Sequence, residues 1–191
     1  MSTTTPDSGG RPALTSAHEL AAVAQELFVE RGFEQTSVDD IAAAARVSRR
    51  TFFRYFSTKA DVLWVESPAE LATFRRLLDE STEPWREALC RSAPLALHHP
   101  AEERRWMLHR AKLLLTVPAV QEKAAVRHAE WRMIATEFVA GRGQSALVAV
   151  AAGHATLAAT LGAHEYWIAH PDEDLPALHE RFLRMVLAGV G

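Results

Sequence analysis

The stretch from Ser37 to Lys59, SVDDIAAAARVSRRTFFRYFSTK, constrains this chain most, because its spacing fits two short helices, a tight turn and the start of a third. Ser37 is followed at the third position by Asp40, which puts a hydroxyl and a carboxylate where a helix start leaves amide N–H groups unpaired. Val38, Ile41, Ala42 and Ala45 then recur at threes and fours, giving one narrow buried face. The run stops at Arg46. Val47 enters the core, and Ser48 offers a second cap to a helix holding Arg49, Arg50, Thr51, Phe52, Phe53, Arg54, Tyr55 and Phe56. The pattern is a helix-turn-helix with the last helix as its recognition element.

Charge placement points to DNA. From Arg46 to Lys59 there are five basic residues and no acidic one, although the whole chain carries a formal charge of −3. Phe52 and Phe56, four apart, take the inner face and leave Arg49, Arg50 and Arg54 outside. A helix of this size fits the major groove, where a bidentate Arg–guanine contact discriminates by about 1–3 kcal/mol. Thr51, Phe53 and Tyr55 add two hydroxyls and an apolar surface. A merely solvated basic face is the alternative, and two capped helices at this spacing weigh against it.

At Gly32, Phe33, Thr36, Ser37, Ile41, Ala42, Val47, Ser48, Thr51, Phe53, Tyr55, Phe56 and Lys59 the chain resembles the TetR family of bacterial transcriptional regulators. The resemblance implies phosphate contacts from Thr36 or Ser37, Tyr55 and Lys59, and base contacts among Arg49, Arg50, Thr51, Phe53 and Arg54. Ser48 and Arg46 complete the DNA-facing set. One departure stands out: Arg46 occupies the turn where the family usually has Gly. A left-handed backbone there costs a non-glycine residue on the order of 1 kcal/mol. Either the turn adjusts, which we favour, or Arg46 reaches a phosphate.

With 191 residues and 48% hydrophobic content, the chain can form one large or two small domains. No run approaches the ~18 consecutive apolar residues of a membrane span, and no signal peptide is evident, so a cytoplasmic protein without a membrane partner is expected. Cys90 is the only cysteine, excluding an internal disulfide or a cysteine-rich metal site. Alternating strand patterns are missing, so the class is all-α: an N-terminal three-helix DNA-binding domain and a C-terminal helical ligand-binding and dimerisation domain, about nine helices in all. The expected divisions are a disordered tail over 1–11, the helix-turn-helix domain over 12–64, and the C-terminal domain over 65–191. Arg11 in the tail is either a minor-groove arm or simply solvated. The first helix follows a Thr15 or Ser16 cap, with Glu19 in its first turn, and ends at Gly32. The fourth begins after Thr58, buries Val62 and Leu63, and runs toward Leu78 with a bend at Pro68. It links the domains, so its displacement by a ligand would shift the spacing of two heads.

Beyond Glu83 the pattern predicts helices over Pro84–Leu97, Ala101–Thr116, Pro118–Ala140, Ser145–Ala169 and Leu175–Ala188. Trp106, Arg110, Leu113 and Val117 share a stripe of the second; Val120, Ala124, Trp131, Ile134 and Phe138 share one of the third. With Trp85 and Trp167 these residues allow an apolar pocket, whose candidate lining is Trp85, Trp106, Arg110, Leu113, Leu114, Trp131, Phe138 and His154. Ordinary core packing is the competing reading for each aromatic. The Ser145–Ala169 helix is rich in Ala and Gly and suits close packing. Ala159, Gly162 and Ala163, with Phe182, Leu183 and Val186 of the last helix, are candidates for a two-fold interface, or for packing within one subunit.

LLLTVPAVQ (Leu113–Gln121), EWRMIATEFVAGR (Glu130–Arg142) and HEYWIAH (His164–His170) resemble a narrower group, the regulators associated with the mycofactocin system. That resemblance implies an acyl-coenzyme A, long-chain for instance, or another long acyl effector. The residues allow an apolar tunnel among Leu113, Leu114, Trp131 and Phe138, with Arg104, Arg105, Arg110, Lys112 or Arg132 for phosphates; ordinary surface pairing is the competing reading, since Arg105 falls three residues after Glu102. No resident cofactor, metal or enzymatic activity is expected. His18–Glu19 and His164–Glu165 lack the second His of a zinc pair, and Gly141, Gly143 and Ala146 follow a helix instead of a strand, so they form a turn rather than a phosphate cradle. The expected function is a dimeric, effector-released repressor on a pseudo-palindromic operator. Alternatives are a DNA-binding regulator without a small ligand and a helical interaction protein.

Overall fold

A computed structural model describes residues 16–190; the tail, Arg11 and Thr15 lie outside the described residues. Nine α-helices are present among them: α1 (Ala17–Arg31), α2 (Val38–Ala44), α3 (Arg49–Tyr55), α4 (Ser67–Glu80), α5 (Trp85–Ala96), α6 (Arg104–Thr116), α7 (Pro118–Gly141), α8 (Ala146–Ala169) and α9 (Leu175–Leu187). No strand occurs in these residues. The chain divides into two compact units, one ending at Val62 and the other starting at Leu63.

In the first unit the helices start where short side chains satisfy free amides. Ser16 and Glu19 form a reciprocal capping box on α1, and Ser37 and Asp40 form another on α2. Ser48 Oγ accepts from the Thr51 amide at 3.1 Å to start α3. Leu20, Phe28, Ile41 and Phe52 are almost fully buried. Gly32 ends α1 with φ 90°, a conformation open to glycine at little cost.

The turn from α2 to α3 does not adjust to its arginine. Arg46 keeps the left-handed backbone, with φ 55°. The reason is visible in the hydrogen bonds: Val47 N donates to Ala42 O at 2.9 Å and Arg46 N to Ala43 O at 3.1 Å. This is the Schellman pairing, which satisfies the last carbonyls of α2 and needs a left-handed residue at the position Arg46 holds. The paired carbonyls outweigh a strain of about 1 kcal/mol.

The fourth helix also departs from expectation. Lys59–Trp64 is a 3-10 segment, and α4 starts afresh at Ser67 with Pro68 in its first turn. Proline has no N–H to lose there and its φ is already helical, so it begins the helix instead of bending one.

The second unit packs α4, α5, α7, α8 and α9 around Phe74, Leu78, Leu89, Ile134, Val139, Ala152 and Leu183. Trp131 stacks on Phe74 with ring centroids 4.1 Å apart. A Cβ built on Gly153 would stand 2.8 Å from the Arg132 carbonyl oxygen and closer still to Thr136 Oγ1, so α7 and α8 meet almost backbone to backbone. α8 has the length and mean apolarity of a membrane span, although His154 interrupts its apolar run. It packs against α6, α7 and α9 in this helical unit.

Candidate nucleic-acid interface and effector cavity

On α3, Phe52 is buried while Arg49, Arg50, Phe53 and Arg54 are exposed; Phe53 keeps 43% of its surface. Three of the basic groups are not equivalent. Arg49 Nη1 donates to both carboxylate oxygens of Asp39 on α2, at 2.9 and 2.8 Å, and its guanidinium lies 5.3 Å from the Phe53 ring centroid. Arg54 Nη2 donates to the Tyr55 hydroxyl at 3.0 Å. Arg50 has no ion pair or side-chain hydrogen bond among the described residues. Ser48 Oγ and Thr51 Oγ1 lie 2.9 Å apart, and Arg46 is exposed at the turn.

Two residues that the resemblance places on phosphates are otherwise engaged. Thr36 is fully buried, and its hydroxyl donates to Gly32 O at 2.8 Å, near Leu27 O at 3.4 Å. Lys59 Nζ donates to Phe33 O at 2.7 Å and Thr36 O at 3.0 Å, and stands 4.4 Å from the Phe33 ring centroid. Its ammonium closes the α1–α2 turn. Ser37 Oγ is exposed but donates to Asp40 Oδ2 at 2.5 Å in the capping box.

The second unit encloses a cavity of about 90 Å³ among α4, α6, α7 and α8. Of the eight residues expected to line a pocket, Arg110, Leu114 and Trp131 do so. Trp85 is buried in the main core, and Trp106 packs on the smaller cluster of Met107, Ala163, Trp167 and Leu178. Leu113 is buried away from the cavity, Phe138 flanks a separate groove, and His154 is exposed, 3.5 Å from Arg132. Helical stripes identify the apolar side of each helix but not which part of that side meets a void. Leu97 and Met107 also wall a neighbouring recess of about 150 Å³.

Arg110 was expected at the pocket, but its partners in the cavity's polar wall, Glu70 and His99, were not. Glu70 Oε1 on α4 accepts from Arg110 Nη1 at 3.1 Å and from His99 Nε2 at 3.0 Å, all three groups being largely buried. Burial works against the Glu70 charge, but the Arg110 charge and the hydrogen bonds from His99 and Arg110 outweigh it, holding the carboxyl down at about 2. The bond to Glu70 raises His99, whose other nitrogen faces Glu103 at 3.2 Å. Burial pushes His128 and His164 down, toward their neutral forms. Glu70 among the apolar positions of α4, and Arg110 among those of α6, were the available signal, since a charge on a buried stripe needs a partner.

Comparisons with known proteins bear on the family and the fold. Residues 20–63 match the family model described as bacterial regulatory proteins, tetR family, and residues 83–191 match the MftR C-terminal domain. The chain is 35% identical over 166 residues, 83% of each chain, to the protein assigned as the mycofactocin biosynthesis transcriptional regulator MftR of Mycobacterium tuberculosis. The chain belongs to the TetR family. Among solved TetR-like structures, Thermus thermophilus FadR, a repressor in complex with lauroyl-CoA, is 26% identical with a TM-score of 0.65, covering 92% of this chain and 95% of that one. The SmeT–triclosan complex, 18% identical with a TM-score of 0.64 over 92% and 93% of the chains, shares the fold.

Within this TetR chain the six residues expected at a two-fold interface separate. Ala159, Ala163 and Leu183 are fully buried in the subunit's own core, and Gly162 gives room to the Phe182 ring, which would stand 2.9 Å from a Cβ there. Only Val186 is exposed. The small residues of α8 therefore serve helix packing inside the subunit. Other apolar side chains of the two helices lie open: Leu147 is 81% exposed and Met185 73%, and Val150 and Tyr166 are also exposed.

Proposed function

We propose that this TetR-family regulator is a ligand-responsive repressor that binds a pseudo-palindromic operator as a homodimer. The α3 face carries the proposal: Phe52 anchors the helix while Arg50, Phe53 and Arg54 remain outside. Two such helices, about 34–36 Å apart or a multiple of it, would enter successive major grooves. Arg50 and Arg54 would read bases, with Arg46, Ser37 and Tyr55 near phosphates. Exposed Leu147, Val150, Tyr166, Met185 and Val186 give α8 and α9 an apolar surface for a second copy. The site of action is the cytoplasm.

The cavity is the effector site in this reading. The lauroyl-CoA complex of FadR supports an acyl-coenzyme A as effector. At about 90 Å³ the cavity is below the ~300–1,000 Å³ of ligand clefts, so a long acyl chain requires it to enlarge. Leu97 and Met107, which separate it from the neighbouring recess, are where it would do so. Arg110 is occupied by Glu70, leaving exposed Arg105 and Lys112 for the coenzyme's phosphates. Effector binding would favour a dimer with wrongly spaced heads through its differential affinity for the two states.

Native mass spectrometry, followed by binding to the upstream DNA with and without a long-chain acyl-coenzyme A, tests this reading. A dimer that releases DNA on addition of the acyl compound supports it; a dimer that holds DNA regardless removes the acyl-coenzyme A effector. Arg50→Ala should change operator preference, and equal loss on all sequences would remove the base-reading role.

A further inference from the structure

Among the described residues, three residues that line the cavity carry buried side-chain nitrogens without any hydrogen-bond partner: Trp64 Nε1, Trp131 Nε1 and Arg110 Nε. Each is a donor and none can accept. A buried donor left unpaired is costly, and such groups in a native fold call for a partner. The charges of the same wall are paired: Arg127, which also lines it, bonds Glu130 at 3.0 Å. Arg110 is paired with Glu70, which also takes His99, so an anion meets a guanidinium already neutralised and a cation meets a carboxylate already engaged. Thr160 donates to Thr156 O at 2.9 Å and has its oxygen 2.8 Å from His179 Nε2. His164 Nδ1 lies 2.7 Å from Thr160 O, which must accept, so the neutral ring keeps Nε2 as its one remaining acceptor. Leu71, Leu114, Leu157 and Leu161 make up apolar wall.

We infer that the cavity selects its effector by an uncharged hydrogen-bond acceptor, a carbonyl oxygen of the ketone, ester, thioester or amide kind, received by the Trp64 and Trp131 indole N–H groups and Arg110 Nε–H, with apolar surface around it. This rests on the cavity being the effector site. It goes further by giving the chemistry of the ligand group and the residues that recognise it. A hydrocarbon of the same shape would leave the donors unpaired, and an ammonium group, itself only a donor, would leave those three unpaired as well.

Compact probes suit the cavity volume. Cyclohexanone, methylcyclohexane and cyclohexylammonium, similar in shape and different in the group presented, are titrated into the ¹⁵N-labelled full chain, and the indole N–H resonances are followed. Cyclohexanone should bind about tenfold tighter than either other probe, and should move the Trp64 and Trp131 N–H signals downfield. Trp64→Phe and Trp131→Phe keep the aromatic surface and remove the donor; each should narrow the preference for cyclohexanone over methylcyclohexane, with thermal unfolding checking that the fold is kept. Equal binding of ketone and hydrocarbon by the unmodified protein overturns the inference and leaves the cavity as an effector site. Tighter binding of the ammonium also overturns it. No binding by any probe overturns both the inference and the cavity's role, while DNA release is measured separately.

Discussion

Lys59 Nζ lies 2.7 Å from the carbonyl oxygen of Phe33, so the cation at the end of the recognition motif closes the α1–α2 turn. Lys59→Met keeps the stem and removes the donors. The first unit should lose about 1–3 kcal/mol of stability, read by chemical denaturation, as expected for hydrogen bonds from a charged group. DNA affinity should fall on every sequence through loss of folded heads. An unchanged midpoint with a reduced salt slope would assign Lys59 to phosphate instead.

Arg46 in its left-handed turn gives two opposite expectations. Arg46→Gly relieves about 1 kcal/mol of backbone strain, partly offset by the greater freedom of glycine in the unfolded chain, so stability should rise by under ~1 kcal/mol. The same change should weaken DNA binding and lower the salt dependence by about one phosphate contact. Denaturation curves and salt titrations read the two effects independently.

Arg110→Met leaves the buried Glu70 carboxylate with His99 alone and should cost about 3 kcal/mol, the low end for a broken buried pair, whereas the double change with Glu70→Gln should recover much of the loss. Thermal unfolding of the four proteins closes the cycle.

The same cluster sets a pH dependence with two limbs. Glu70 titrates at about 2, below the ordinary carboxyl value of 4.5, so its contribution is present above 4.5 and is lost as pH falls toward 2. His99 is raised above 6.5, so its contribution is complete below 6.5 and is lost as pH rises through the raised value. His99→Gln should abolish the alkaline limb and keep the acid one, which melting temperatures across pH will check.

Gly153→Ala places a Cβ against the Arg132 carbonyl, a backbone atom that cannot rotate away. A loss of about 1–3 kcal/mol is expected from overpacking, measured against Gly141→Ala, where the added Cβ meets nothing.

The starts of α1, α2 and α3 were legible because Ser16, Ser37 and Ser48 act within a few residues of themselves. The Arg46 turn was legible as a position, but its strain was weighed without the two hydrogen bonds that the left-handed form secures. The carbonyl bonds of Lys59 were not legible, for a different reason. A lysine reads alike in sequence whether it faces solvent or three carbonyls some twenty-five residues back. The Glu70–Arg110 pair spans forty residues, and helical periodicity says which side of α4 and α6 is inside but not which residues meet there. The pocket candidates that lie elsewhere were missed at that same step: Trp85 and Trp106 lie inward, yet in separate clusters.

The near contact of α7 and α8 at Gly153 acts like a pair of meshed gears. With Thr136 Oγ1 and the Arg132 carbonyl pressed against that glycine, neither helix has room to roll or slide past the other at this point. Trp131 and His128 on α7, and Thr160 and His164 on α8, form a stiff wall of the cavity. Across the void from them stand α4 and α6, joined there by Glu70 and Arg110.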